Sequence, residues 1–387
     1  LSAGRRTITI FTSHYFPHLG GVERIVGWQA KEFARLGFAV RIVTHDTERL
    51  GFVEVQPDVT IYRLKSWSPM AHNRMPFPVS LPQLYRLTRE IFSNPSELTV
   101  VHTRYYFLSV LGCLLARSSG GKLALIDHSS DYIRLGASWL NALSHVYEHF
   151  MTLMIQGFCP RVFGDARACA VWLRRFGIRR AGVCYNAIDL QQRLDSPILL
   201  RDILGPMATK KVVFAVGRLV KEKGFMELVN GFTRFAEHRN DYALVIAGHG
   251  ELEPQLQAAA QTNPKILFLG RQPLKTVMSL MMQATVLVNP SNYPEGLQTI
   301  LLEAGLCGLA VISTPAGGAA EIINDGETGI LIAKGEATRI AEALQRLDAT
   351  PGLRDRLAVN LHRRIESDFS CSVIAERFLF QDMGLAR

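Results

Sequence analysis

Asn289-Pro290-Ser291-Asn292-Tyr293-Pro294-Glu295-Gly296-Leu297-Gln298-Thr299-Ile300-Leu301-Leu302-Glu303-Ala304 follows directly on a short apolar run, residues 284–288. That run is β-branched and brief, the pattern of a buried strand. Pro290, Ser291, Asn292 and Pro294 then make a loop, Glu295-Gly296 closes it, and residues 297–306 have helical spacing with Ile300, Leu301 and Ala304 inward. Strand, loop and helix start form the ligand corner of an open parallel sheet, where backbone N–H groups point outward beyond the strand ends. Glu295 at the helix mouth and Glu303 about two turns in, at roughly 1.5 Å rise per residue, can hold different parts of one elongated ligand. Acidic residues near a helix start are favoured in any case, so the two glutamates alone leave open a purely structural role.

The same unit recurs on both sides. Upstream, strand 211–216 runs into Gly217-Arg218-Leu219-Val220-Lys221-Glu222-Lys223-Gly224 and a helix over 225–237. Cations in a glycine-bracketed loop before a helix N-terminus suit a diphosphate. Strand 242–247 ends in Gly248-His249-Gly250, with Glu253 where a dinucleotide fingerprint needs its third glycine, which argues against NAD or FAD. Strand 266–269 exits through Gly270-Arg271-Gln272-Pro273. Downstream come strand 310–313, the Gly317-Gly318 loop, a turn over 326–329 and helices over 338–347 and 352–368.

The first half repeats the scheme. Strand 7–11 leads through residues 12–21, ending in Gly20-Gly21, into a helix whose inward face is Val22, Ile25, Val26, Ala30, Phe33 and Leu36. The two glycines let backbone approach a phosphate or sugar, or simply make a tight turn. Strands follow at 39–44, 59–64, 98–102 and 123–126, separated by a proline-rich excursion over 68–82 and helices at 81–92 and 107–117. Strand 123–126 ends in Asp127-His128-Ser129-Ser130-Asp131, and His128 could serve a ligand or the core. Helices at 141–158 and 166–176 and strands at 161–163 and 181–185 complete this half. The pattern loosens over 193–209. Two α/β domains are therefore expected, 1–190 and 191–371, with a helix over about 372–387 returning to the first.

Charge divides unevenly. Residues 1–190 carry 22 Lys+Arg against 13 Asp+Glu, a net of +9, whereas residues 191–387 carry 21 of each. Six arginines fall within 161–180 against the single Asp165. Such a face attracts an anionic membrane surface or an acidic acceptor; without a recognised binding motif, nucleic acid is not expected. The six cysteines are scattered with no metal-ligand spacing, which predicts reduced thiols, an intracellular setting and no structural metal. No signal-peptide or membrane-spanning run is legible, so a cytoplasmic protein, peripheral on the inner membrane face, is the expectation.

In this order, Gly-Gly loop, His128, Gly217-Arg218 with Lys223-Gly224, then Glu295-Gly296, Leu302-Glu303-Ala304 and Gly317-Gly318 with Glu321, the chain resembles retaining GT-B glycosyltransferases of family 4 (group 1 type). The resemblance implies an α/β fold of two Rossmann-like domains facing across a cleft, the second binding a nucleotide-sugar donor as substrate and the first a glycan or lipid-linked acceptor. It implies Arg218 and Lys223 on the diphosphate, Glu303 on the ribose, and Glu295 with the backbone of Gly296, Leu297, Gln298 and Thr299 on the transferred sugar. Gln272 would lie near the base, Gly21 near phosphate or sugar, and His128 would act with Glu295 at the reacting centre. Gln298 and His249 depart from the residue types usual at their places. The implied reaction is front-face transfer of a hexose with retention, without cofactor or metal, a reading the missing D-x-D motif suits. UDP and GDP donors remain open. A non-catalytic nucleotide-sugar-binding protein and a GT-B sugar-nucleotide epimerase are the alternatives.

Overall fold

The computed structural model describes residues 5–18, 20–68, 75–133, 138–159 and 161–386. Part of the expected excursion over 68–82, and Leu19 of the glycine loop, lie outside them. The chain forms two compact units, Leu1–Asn186 with Cys371–Arg387, and Ala187–Ser370. Each half of the chain carries its own run of apolar strands, so each can close a separate core.

Unit 1 is built on β1 (Thr7–Phe11), β2 (Ala39–Asp46), β3 (Val53–Gln56), β4 (Val59–Trp67), β5 (Phe77–Pro78), β6 (Leu98–His102), β7 (Lys122–Asp127), β8 (Val162–Gly164) and β9 (Gly182–Val183). Among the described residues the order is β3-β4-β2-β1-β6-β7-β8-β9, with β5 paired to β4. Pairing is parallel except for β3 and β5, each antiparallel to β4. β3 was not expected: its Val53 and Val55 are exposed, so the segment lacks the apolar run of a core strand. Ile8 sits between Val40 and Leu98 in register, and all of β1 is buried, as its β-branched, apolar sequence requires when both faces are covered.

Helices α1 (Gly21–Arg35), α2 (Leu81–Ser93), α3 (Phe107–Ser119), α4 (Ser138–Gln156) and α5 (Arg167–Trp172) cover the sheet. The last helical segment, Cys371–Glu376 continuing as π-helix over Arg377–Asp382, joins this unit. Phe378 stacks on Phe33 of α1 with centroids 6.4 Å apart, and Lys122 Nζ donates to the Met383 and Gly384 carbonyls at 3.0 and 2.5 Å.

Unit 2 contains β10 (Lys211–Arg218), β11 (Tyr242–His249), β12 (Ile266–Phe268), β13 (Val286–Asn289), β14 (Ala310–Ser313) and β15 (Ile330–Leu331), in the order β12-β11-β10-β13-β14-β15. Every pairing is parallel. Its helices include α6 (Leu200–Leu204), α7 (Phe225–Phe235), α8 (Glu253–Thr262), α9 (Leu274–Gln283) and α10 (Thr299–Leu306). α10 begins at Thr299 rather than at Leu297, because Gln298 is still extended, with φ −78° and ψ 103°. Strand order reverses between β1 and β6 in unit 1 and between β10 and β13 in unit 2, and ligands of open α/β sheets gather at such switch points.

Candidate functional site

The loops leaving β10 and β13 meet at the unit 2 switch point. Gly224 has φ +71°, and a Cβ there would stand 2.3 Å from the Pro290 carbonyl oxygen. Gly317, at φ +54°, would put one 2.1 Å from the carbonyl oxygen of Glu295. Glycine is needed at both places for conformation and for space. The Asn292 N–H donates to the Glu222 carbonyl at 2.7 Å, and Thr314 Oγ1 donates to the Ser291 carbonyl.

Three donors converge on Glu295 Oε1: Lys223 Nζ at 2.5 Å, Ser291 Oγ at 3.0 Å and Gln298 Nε2 at 3.1 Å. Among the described residues Oε2 receives none, which leaves it for a ligand hydroxyl. The pair is partly open, with side-chain exposures of 14% for Lys223 and 23% for Glu295. Arg218 is exposed and lies 5.9 Å over the Tyr293 ring centroid, within cation–π range. Among the described residues it pairs with no carboxylate, so its donors are available to an anion.

The remaining expected residues of unit 2 are engaged within the fold. Gln298 is buried; its Oε1 accepts from Asn289 Nδ2 at 2.5 Å and its Nε2 also reaches the Ala316 carbonyl at 3.3 Å, so its side chain holds Glu295 in place. Its departure from the usual residue type thus has a local purpose. Gly296 accepts from the Gly318 N–H at 3.1 Å, Leu297 is buried, and Thr299 opens α10. Glu303, one turn into α10, is buried; with burial as the larger cause, its charge helps push the Cys307 thiol up to about 12. Gln272 donates to the Leu269 carbonyl at 2.6 Å, in the exit loop of the edge strand β12.

In unit 1, Gly21 is the exposed first residue of α1, with open space where a Cβ would stand. His128, just beyond β7, has both ring nitrogens engaged: Nε2 with His102 Nδ1 at 2.9 Å and Nδ1 with Asp165 Oδ2 at 3.2 Å. His102 Nε2 meets Gln29 Oε1 at 2.9 Å, and Asn186 Nδ2 donates to Asp165 at 3.2 Å. Burial, helped by His128, holds His102 well below the usual histidine range. A neutral His102 has one N–H to share between Gln29 and His128, so the Gln29 amide orientation sets the direction of donation along the chain.

Beside it, fully buried Arg104 donates from Nη1 to Asp127 Oδ2 at 2.5 Å and from Nη2 to Glu148 Oε2 at 2.6 Å. Burial pushes the Glu148 carboxyl up, against the pull of the Ile133 N–H and Arg104. Sequence reasoning missed His102, Gln29, Asp165 and this triad. The available signal was their position: His102, Asp127 and Asp165 all stand at or just beyond the carboxyl ends of apolar strands.

Two α/β units on mainly parallel sheets, the second with cations and a carboxylate at its switch point, define a GT-B architecture suited to group transfer. A family model described as glycosyl transferases group 1 matches residues 199–364, and one described as glycosyltransferase family 4 matches residues 19–192. The chain is 31% identical over 319 residues to alpha-maltose-1-phosphate synthase of Mycolicibacterium smegmatis, covering 74% of this chain and 79% of that one. Its fold is similar to sucrose-phosphate synthase from Thermosynechococcus elongatus (TM-score 0.76, 20% identity, 98% and 99% of the two chains). It is also similar to Anabaena HepE, solved with UDP (TM-score 0.73, 18% identity, 98% and 100%). The chain belongs to the family 4, group 1 glycosyltransferases and is an enzyme of that class.

Proposed function

We propose that the chain transfers a hexose from a nucleotide-diphosphate sugar, with retention, to a cell-envelope, lipid-linked or polysaccharide acceptor. The observation that carries this reading is the Lys223–Glu295 pair at the unit 2 switch point, with exposed Arg218 over Tyr293 of the same loop. Arg218 and Lys223 bind the diphosphate, and Glu295, held through Oε1, offers Oε2 to a sugar hydroxyl. As the bond from sugar C1 to the diphosphate oxygen breaks, the two cations stabilise the charge left on the diphosphate. The acceptor oxygen bonds C1 from the same face and its proton leaves with the diphosphate. Gln298 acts as a positioning residue for Glu295, and the His102–His128 pair as a rigid polar floor in unit 1. A UDP-sugar is the first donor to test, since Anabaena HepE was solved with UDP and with UDP-glucose.

A thermal-shift screen of UDP- and GDP-sugars tests the reading, because a ligand bound only to the folded state raises its melting temperature. One UDP-sugar should raise it and then be consumed only when acceptor is present. Stabilisation by no sugar nucleotide would overturn the donor site, and conversion of donor without acceptor would point to an epimerase instead.

A further inference from the structure

Helix α4 is apolar on its outer face and mixed on its inner one, where Met151 and Ile155 join the core. Its buried positions include the polar Ser144, Glu148 and Thr152, whereas its outward face carries Trp139, Leu143, Val146, Phe150 and Leu153, exposed by 58 to 70%. The only charged side chain in the helix is the buried Glu148. Isolated apolar residues on a surface need no explanation, but a continuous stripe at helical spacing does.

The stripe has a basic border. The segment Leu173–Phe176 lies against α4: Gln156 Nε2 donates to the Phe176 carbonyl at 2.5 Å, and the His149 and Phe176 rings are 4.6 Å apart. That segment and its continuation expose Arg174, Arg175, Arg179 and Arg180, and no acidic residue occurs between Asp165 and Asp189.

We propose that α4 and this arginine border dock unit 1 on an anionic lipid bilayer, with α4 lying in the interface and the arginines on lipid phosphates. An apolar face flanked by cations fits the boundary between acyl chains and acidic head groups. Charge decides against a second copy of the chain: a two-fold contact through α4 would bring the two arginine borders together. The inward face gives docking a route to the site, since Glu148 holds Arg104, and Arg104 holds Asp127 next to His128. The proposal stands on unit 1 alone and is independent of the donor reading.

Sedimentation of the full chain with vesicles tests it. Phosphatidylcholine vesicles containing phosphatidylglycerol should bind the protein at low salt, with a blue shift of tryptophan emission, and high salt should release it. Leu143→Glu with Phe150→Glu should weaken binding by more than about tenfold. Arg174→Gln and Arg175→Gln should each weaken it by about fivefold. Both sets change exposed side chains, so circular dichroism and transfer to a water-soluble acceptor should be unchanged. No binding to anionic vesicles at low salt, or full binding by the Leu143/Phe150 variant, would overturn the proposal. A concentration-dependent dimer abolished by that variant would show instead that a second copy covers the face.

Discussion

The two switch points use polar residues in opposite ways. In unit 1 the side chains beyond the strand ends bond to one another: Gln29, His102, His128, Asp165 and Asn186 form one chain, and Arg104 joins Asp127 to Glu148, nearly all of it out of water. In unit 2 the corresponding residues are half satisfied: Glu295 is gripped on one oxygen, and Arg218 stands in solvent beside Tyr293. The unit 1 network is bonded mostly within itself, with Arg104 Nε and Asp165 Oδ1 left buried without a partner, and so chiefly fixes geometry, whereas the spare donors and acceptor of unit 2 are open to a ligand. Changes in unit 1 should therefore register first as stability, and changes in unit 2 as donor affinity and turnover.

The largest effect tests the first part of that contrast. Glu148→Ala leaves the buried Arg104 guanidinium short of one partner and should cost roughly 3–5 kcal/mol in urea denaturation; a loss below ~1 kcal/mol would mean the triad is not an ionic lock. Next is Gly317→Ala, which forces a side chain into a left-handed backbone beside the Glu295 carbonyl. It should cost about 1–3 kcal/mol and weaken donor binding, while Gly21→Ala, whose Cβ would meet no protein atom, should leave stability unchanged. A stable Gly317→Ala protein with normal affinity would show that the clasp is looser than described. Gln298→Ala should slow transfer by about tenfold to a hundredfold through misplacement of Glu295 while leaving the melting temperature within a few degrees. Equal losses of rate and stability would assign Gln298 to the core.

The smallest effect per step is on pH. His45 is buried in β2 and lowered to about 3, by burial first and His14 second, and His102 is lowered as well. Both stay neutral in the folded chain while the unfolded chain takes up protons below about pH 6.5. Stability is thus complete above that pH and declines as pH falls, by roughly 1.4 kcal/mol per pH unit for each histidine. For His45 the decline ends near pH 3. His45→Phe should flatten the slope between these limits, and an unchanged slope would contradict the buried neutral state.

Most of this architecture was legible because strand ends, glycine loops and helix starts leave local marks: Thr7–Phe11 and Ala310–Ser313 are found as expected. Long-range bonding left none. Nothing near Gln298 in sequence shows that Asn289 and Ala316 will occupy its amide, so the part its side chain plays was not legible. The helical period of α4 shows two faces without showing which is inward, and the interior there is chosen by the Arg104–Glu148 pair. Antiparallel β3 was missed for a similar reason, since an exposed edge strand is held by backbone pairing to β4 and needs no apolar run.

Calorimetric titration of Arg218→Ala with the UDP-sugar found by screening tests the central claim most directly. Loss of a charge-assisted bond of about 1.5–3 kcal/mol predicts donor affinity at least ~10-fold weaker, with the melting temperature of the free protein unchanged because the side chain is exposed. Unchanged affinity in a folded variant would remove Arg218 from the donor site and contradict the reading of unit 2 as a diphosphate clasp.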